Sequence, residues 1–321
     1  VDTAPRLYRH LPRRDSAQPS ALAIGNFDGV HCGHQAMLQR VRDHARAHDL
    51  VPSVMMFTPH PRAYFARRNQ RPELVPTQIT GLRDKMLALR DLGMRQLVLL
   101  RFDQTLADMS PERFIADLLV RGLNTRWLLV GQDFRFGAQR AGDVETLLRA
   151  GRHHGFTVQT LDDVTDAHAQ RISSSEVRTA LAVGNLARAC ELLGRPYRIS
   201  GHVIHGNKLG RTLGFPTLNM HAPAPCAARS GIYVARVHGL DTAPLPGVAS
   251  LGVRPTVTAH GGLLLETHVL DRTVQAYGKL IGIEFLSYLR DEETFPDLPT
   301  LKAAIAQDAR RARDYFAAHG L

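Results

Sequence analysis

The chain has 321 residues and a formal charge of +10, with 40 Lys+Arg set against 30 Asp+Glu. A composition of 44% hydrophobic and 22% charged residues is that of a globular protein and excludes wholesale disorder. No apolar run approaches the ~20 residues that span a bilayer, and the Arg- and Pro-rich residues 1–20 lack the apolar core of a secretory signal. Cys32, Cys190 and Cys226 are too few and too widely spaced for a disulfide framework or a zinc ribbon, which points to a reducing cytoplasm.

The basic excess is dispersed. Residues 1–184 carry 25 basic and 19 acidic side chains, and residues 185–321 carry 15 and 11. No basic arm or patch emerges, so a nucleic-acid partner is not expected. Of the basic residues 36 are Arg, whose forks suit phosphates.

In chain order, Ser20–Gly25 reads as a short buried strand, followed by a helix with Met37, Leu38, Val41 and Ala45 at helical spacing. Leu50–Phe57 is a second strand, ended by Thr58-Pro-His-Pro61. Leu82–Leu92 is a helix stopped by Gly93, and Gln96–Leu100 is another buried strand. Ser110-Pro-Glu opens the next helix, with an N-cap and a proline at the first helical position. Trp127–Val130 is again a strand. Strands without polar alternation, separated by helices, predict a doubly wound, Rossmann-like α/β domain with a largely parallel sheet.

The second half differs. A helix at Asn185–Leu193, closed by Gly194, precedes strand-like pieces at Tyr197–His205, Gly231–His238, Gly247–Leu251, Leu263–Leu270 and Ile281–Leu289. Short strands between turn signals predict a small antiparallel β-barrel or sandwich. A terminal helix follows, with Thr300 as its expected N-cap and Leu301, Ile305, Ala309, Ala312 and Phe316 on one face. The expected domains are 1–184 and 185–321.

Two constellations carry chemistry. In Gly25-Asn-Phe-Asp-Gly-Val-His-Cys-Gly-His34, a turn joins a buried strand to a helix N-terminus, where unpaired N–H groups attract anions. Gly33 would let a phosphate approach the backbone, and His31 and His34 can donate to its oxygens, as adenylyl transfer requires. A surface turn with incidental histidines, or a two-histidine metal site, would read the same way locally. Ile172-Ser-Ser-Ser-Glu-Val-Arg178 leads into another helix. Ser173 or Ser174 could cap it, and Arg178 could reach a triphosphate; a plain cap with a solvated Arg is the alternative.

In the barrel half, Gly206, Gly210 and Gly214 permit a loop that closes over phosphates, with Lys208 and Arg211 as candidate cations. Thr217 and Asn219 offer hard oxygens for Mg²⁺ carried with ATP. An ordinary glycine-rich connection is the alternative. Glu266 and His268 share one face of an otherwise apolar strand, which makes Glu266 either a structurally paired carboxylate or a site residue.

Together these motifs carry a resemblance. The string from Gly25 to His34, with Phe57-Thr-Pro-His-Pro61, Gly131-Gln-Asp-Phe-Arg-Phe-Gly137 and Ser-Ser-x-x-x-Arg178, resembles the FMN adenylyltransferase half of bacterial bifunctional FAD synthetases. Gly-Arg-x-Leu-Gly-Phe-Pro-Thr-x-Asn219, Gly247–Thr256, Glu266-Thr-His and Leu289-Arg-Asp-Glu292 resemble the riboflavin kinase domain of the same family, in the family's domain order.

The resemblance implies that His31, His34 and Arg178 catalyse adenylyl transfer, with Gly25, Asn26, Phe27, Asp28, Gly33, Ser173 and Ser174 binding ATP. It further implies that Asp133, Phe134 and Arg290 contact flavin. For the kinase it implies that Gly206, Lys208, Gly210, Arg211, Gly214, Thr217 and Asn219 hold Mg-ATP, and that Glu266 is the base for the riboflavin 5′-hydroxyl. Ser175 stands where the family usually has Thr, Asn207 where it has Asp, and Arg272 where Phe is common. The expected ligands are riboflavin, FMN, FAD and ATP, on a monomer or weak homo-oligomer with no membrane and no nucleic-acid partner. Two other readings stand beside this one: a nucleotidyltransferase using CTP or a phosphopantetheine-like substrate with an accessory barrel, and a non-catalytic flavin- or nucleotide-binding protein.

Overall fold

A computed structural model describes residues 5–12, 17–206, 209–253 and 263–320. Packing divides the chain into two units, Val1–Pro76 with Lys85–Ser173, and Thr77–Asp84 with Ser174–Leu321. The packing division thus falls before the helix that begins at Ser174, ahead of residue 184, and the second unit also takes in a short segment of the first half.

The first unit contains β1 (Arg6–Tyr8), β2 (Ser20–Ile24), α1 (Cys32–Ala47), β3 (Val51–Thr58), α2 (Pro61–Arg68), α3 (Leu82–Asp91) from Lys85 onward, β4 (Gln96–Arg101), α4 (Gln104–Ala107), α5 (Pro111–Arg113), β5 (Thr125–Gly131), α6 (Val144–His154) and β6 (Thr157–Leu161). The strands form a parallel sheet ordered β1-β4-β3-β2-β5-β6. Alternate residues divide between two cores: Leu22, Ile24, Val98, Leu128 and Val130 face one side, and Ala21, Ala23, Leu97, Leu99 and Leu129 face the other. This two-sided burial explains the unbroken apolar strands. The Ser110 hydroxyl accepts the Arg113 N–H, as the Ser-Pro-Glu signature requires, and the helix continues over Phe114–Gly122 with wider π-type turns. The edge strands β1 and β6 were not expected. The first is short and lies in the Arg- and Pro-rich segment, and the second alternates in burial as one-sided edge strands do.

The second unit contains α7 (Ser174–Ala182), α8 (Leu186–Leu193), β7 (Arg198–His202), α9 (Leu209–Thr212), β8 (Thr217–His221), β9 (Gly231–His238), β10 (Leu245–Val253), β11 (Leu263–Val269), β12 (Leu280–Arg290) and α10 (Leu298–Ala318). Six antiparallel strands run in the order β7-β12-β9-β10-β11-β8. Ile204, just after β7, bridges to Asn219 of β8 and nearly closes the barrel. Tyr197, Tyr233 and Phe285 fill its interior with tilted and edge-on ring contacts. Helix α10 lays Ala309, Ala312 and Phe316 against Val234 and Leu270. Its N-cap is Asp297 rather than Thr300: the Asp297 carboxylate accepts the Thr300 N–H at 2.8 Å. Pro299 lies in the first turn, where proline is at home, so the helix starts earlier than the apolar periodicity does. The cap of α8 is as expected, with Asn185 accepting from Arg188 and Gly194 left-handed at φ +67°.

The segment Thr77–Asp84 belongs to the second unit through specific bonds. Gln78 N–H donates to Pro225 O (2.7 Å), Gln78 O accepts from Ala227, and the Asp84 carboxylate accepts the Ser200 N–H (2.9 Å). Ile79 and Thr80 are buried there.

Candidate functional sites

In the first unit the sheet reverses its winding at β2. The chain builds outward through β3 and β4 on one side and through β5 and β6 on the other. The loops leaving β2 and β5 therefore diverge at the strands' carboxyl ends, the crevice where open α/β sheets bind ligands.

The loop after β2 is strained and anchored. Phe27, Gly29 and Val30 all have positive φ (47°, 83° and 44°). Such backbone persists where packing over-determines it, and here Phe27 and Val30 are buried in the same core as Leu38 and Val41. Phe27 can thus meet a nucleotide only through its backbone. Asp28 and His31 are buried, and Asn26 presents a buried Oδ1 with no hydrogen-bond partner. His31 is the N-cap of α1: its Nδ1 accepts the His34 N–H, which leaves the ring proton on Nε2 as a donor. The two imidazoles stack with centroids 3.7 Å apart, and Phe27 meets His34 edge-on. An added Cβ on Gly33 would lie 3.2 Å from the His31 ring and from the Ile172 carbonyl. A side chain at this position would push the ring or the carbonyl aside by a few tenths of an ångström. Gly25 opens the loop with its N–H on Met55 O.

After β5, Asp133 is exposed and pairs with Arg171 at 3.4 Å. Phe134 is half-buried and stacks on the buried Phe136. After β3 and β4 stands an aromatic group that the sequence reading missed: Tyr64, Phe65 and Phe102 meet edge-on within 6 Å, and Phe57 joins Phe102. Its signal was Tyr64-Phe65 in the turn after Pro61, with Phe65 left 40% exposed. Ser173 ends the first unit and Ser174 begins α7. Arg178, half-buried in the second unit, donates from Nε to Thr77 O at 2.6 Å.

In the second unit a cavity of about 380 Å³ lies between the outer face of the sheet and α10. It brings together Gly210, Thr217, Glu266, His268 and Arg290, which lie far apart in sequence. Register places them: Asn219 pairs with Glu266 and Thr217 with His268 across β8 and β11, and Glu266 pairs with Ser250 of β10. The Thr217 hydroxyl donates to Glu266 Oε2 at 3.3 Å, and the Asn219 amide donates to Thr217. Asn219 is buried and its Oδ1 has no hydrogen-bond partner. Gly206 presses on this amide so closely that an added Cβ would lie 2.7 Å from it. Gly214 is left-handed at φ +88°. Lys208, with Asn207, lies outside the described residues, as does the Arg211 side chain. His268 donates from Nδ1 to Pro216 O.

Arg290 is engaged within the protein, forked onto the buried Asp308 of α10 (3.0 and 2.7 Å) and donating to Asp291 O. Beside it, Glu292 was not singled out as a site residue in the sequence. Burial, and then the Glu266 charge, push its carboxyl up from the ordinary glutamate range, while a hydrogen bond from Ser250 opposes the shift. Arg272, one of the departures from the family pattern, pairs with Asp241 at 2.7 Å.

The FAD synthetase family model matches residues 13–176 and the riboflavin kinase model residues 193–316. Curated bifunctional riboflavin kinase/FMN adenylyltransferases align along nearly the whole chain. The Escherichia coli K12 protein is 43% identical over 92% of both chains, and that of Haemophilus influenzae 40% identical over 93% of this chain and 95% of its own. A crystal structure described as a macrolide-efflux protein from Streptococcus pneumoniae covers 97% of this chain and 99% of its own, at TM-score 0.76 and 26% identity. Among the described residues no helix is long and apolar enough to cross a membrane. A parallel sheet followed by a barrel that gathers Thr217, Asn219 and Glu266, matched in order by both family models and along nearly the whole chain by the curated relatives, places this chain in the family of bifunctional riboflavin kinase/FMN adenylyltransferases.

Proposed function

We propose that residues 185–321 convert riboflavin and ATP to FMN and ADP, and that residues 1–184 convert FMN and ATP to FAD and pyrophosphate, with the site residues divided as follows. The observation that carries the kinase assignment is the hydrogen-bonded group Thr217, Asn219 and Glu266 at the edge of one cavity. The riboflavin 5′-hydroxyl is a neutral alcohol, so its attack on the γ-phosphorus needs a proton acceptor, and Glu266 takes that role. The kinase and adenylyltransferase domains use ATP with a divalent metal. The buried Oδ1 of Asn219 and the Thr217 hydroxyl are oxygen donors of the kind Mg²⁺ takes, and a cation there would neutralise phosphate charge. Gly206, Gly210 and Gly214, with Lys208 and Arg211, complete the ATP loop by resemblance.

Adenylyl transfer makes a different demand. Its nucleophile is the FMN phosphate, whose second pKa of roughly 6 leaves it largely ionised without a base. The step needs donors that hold two polyanions together and meet the charge that grows on the α-phosphate. His31, donating from Nε2, His34 and the N–H groups at the start of α1 supply them. Asn26, Asp28, Ser173, Ser174 and Arg178 take their nucleotide roles from the family motif, as do Asp133, Phe134 and Arg290 their flavin roles. The aromatic group of Tyr64, Phe65 and Phe102 offers a face on which a flavin ring could stack. The dispersed charge and spaced cysteines support a cytoplasmic enzyme, monomeric or weakly self-associating, acting on small molecules and not on nucleic acid.

Incubation with riboflavin, ATP and Mg²⁺, followed by chromatographic separation, should yield both FMN and FAD. Glu266→Gln should lower FMN formation by about 10²-fold or more while FAD still forms from supplied FMN. The double variant His31→Ala, His34→Ala should do the reverse. Loss of both activities in either folded protein would refute the division of labour.

A further inference from the structure

Two of the stretches that carry the family resemblance, the one from Gly247 onward and Leu289-Arg-Asp-Glu292, contain residues with no chemistry in the account above. The fold joins them at the kinase cavity. Glu292 follows the end of β12 and is an exposed residue overall, yet its carboxylate turns inward and lines the cavity. Oε1 accepts a hydrogen bond from the Ser250 hydroxyl at 3.1 Å. The same carboxylate rests on the backbone of Gly252, where any added Cβ would collide with it. A glycine in β10 and a serine two residues earlier thus form a seat for one acidic group.

We propose that Glu292 is a substrate-binding residue of the kinase cavity, accepting hydrogen bonds from hydroxyl groups of the sugar-alcohol chain of the acceptor. The inference rests on the kinase reading of the cavity. Ser250 is the direct cross-strand neighbour of Glu266, so it stands one strand away, about 4.8 Å, from the group that meets the reacting hydroxyl. Glu292 sits on Ser250 and extends the polar row by a further residue. A polyol whose terminal hydroxyl lies at Glu266 has its next hydroxyls within a few ångströms, along this row. The rest of the lining includes the apolar Phe215, Val248, Leu301 and Ile305, which suit a flat ring rather than hydroxyl groups. A carboxylate offers acceptors only, which matches a chain of hydroxyl donors.

The test compares two probes: riboflavin, and lumiflavin, which has the ring without the polyol. Glu292→Gln should raise the KM for riboflavin about tenfold or more, as expected for losing a hydrogen bond to a charged group, with kcat within about threefold of the wild type. Lumiflavin binding, followed by fluorescence quenching, should stay the same. Ser250→Ala should show a smaller effect of the same kind, and it keeps the test open should Glu292→Gln melt early. An unchanged riboflavin KM in folded variants would overturn the proposal. An equal loss of lumiflavin binding would also overturn it, because Glu292 would then serve the ring or the cavity wall. Wild-type protein that forms no FMN from riboflavin would instead overturn the kinase reading itself.

Discussion

Gly33 shows how one residue can be legible for one reason and constrained for another. A glycine at a helix N-terminus reads as room for a phosphate, but the added Cβ would press on the His31 ring and the Ile172 carbonyl at 3.2 Å. The neighbour that would have to give way is the histidine that caps α1 and donates from Nε2. Gly33→Ala should therefore lower FAD formation from FMN at least about tenfold, with FMN formation from riboflavin unchanged, when the two reactions are assayed separately. Phe27 makes the converse point. It stands in the nucleotide motif, yet it is a buried peg that keeps a left-handed backbone in place. Glu292 was visible only as part of a motif, because its meaning depends on Ser250 and Gly252, some forty residues earlier.

At the scale of elements, the barrel's cavity depends on how α10 is attached. The apolar stripe of α10 packs on the sheet, but its register is fixed by the fork of Arg290 onto the buried Asp308. Removing one partner leaves a charge with little solvent. Asp308→Ala should destabilise the second unit by about 3 kcal/mol, measured by urea unfolding, and should weaken riboflavin binding as α10 loosens. A second buried ionic group, Glu284 with Arg236 (2.8 Å) and His238 (2.7 Å), ties β12 to β9. Neither pairing could be read from spacing, since the partners lie on different strands and helices. Strand β8 was hidden for a related reason. Its polar Thr217 and Asn219 read as loop chemistry, yet they are strand residues whose side chains share a face with Glu266.

For the molecule as a whole, the packing units do not follow the two halves to which the activities are assigned in our proposal. Thr77–Asp84 buries Ile79 and Thr80 in the second unit and pairs Gln78 with the backbone of residues 225–227. A fragment of residues 185–321 lacks that segment and α7, so its barrel should melt at a lower temperature than the same barrel in the intact chain, as followed by tyrosine fluorescence. Equal melting temperatures would show the segment to be dispensable. The alternation of apolar strands and helices by itself determined the parallel sheet, because local periodicity encodes which faces are buried, while the turn-punctuated second half determined an antiparallel β unit and left its closure into a barrel to the tertiary structure. The motifs carried the resemblance to the family, and the family models matched both halves of the chain in the same order. Only the tertiary structure decided the seat of Glu292, the anchoring of Arg290 and the exchange of Thr77–Asp84. Each depends on contacts between residues distant in sequence, and a register or a packed helix creates such contacts without leaving any periodic trace in the chain.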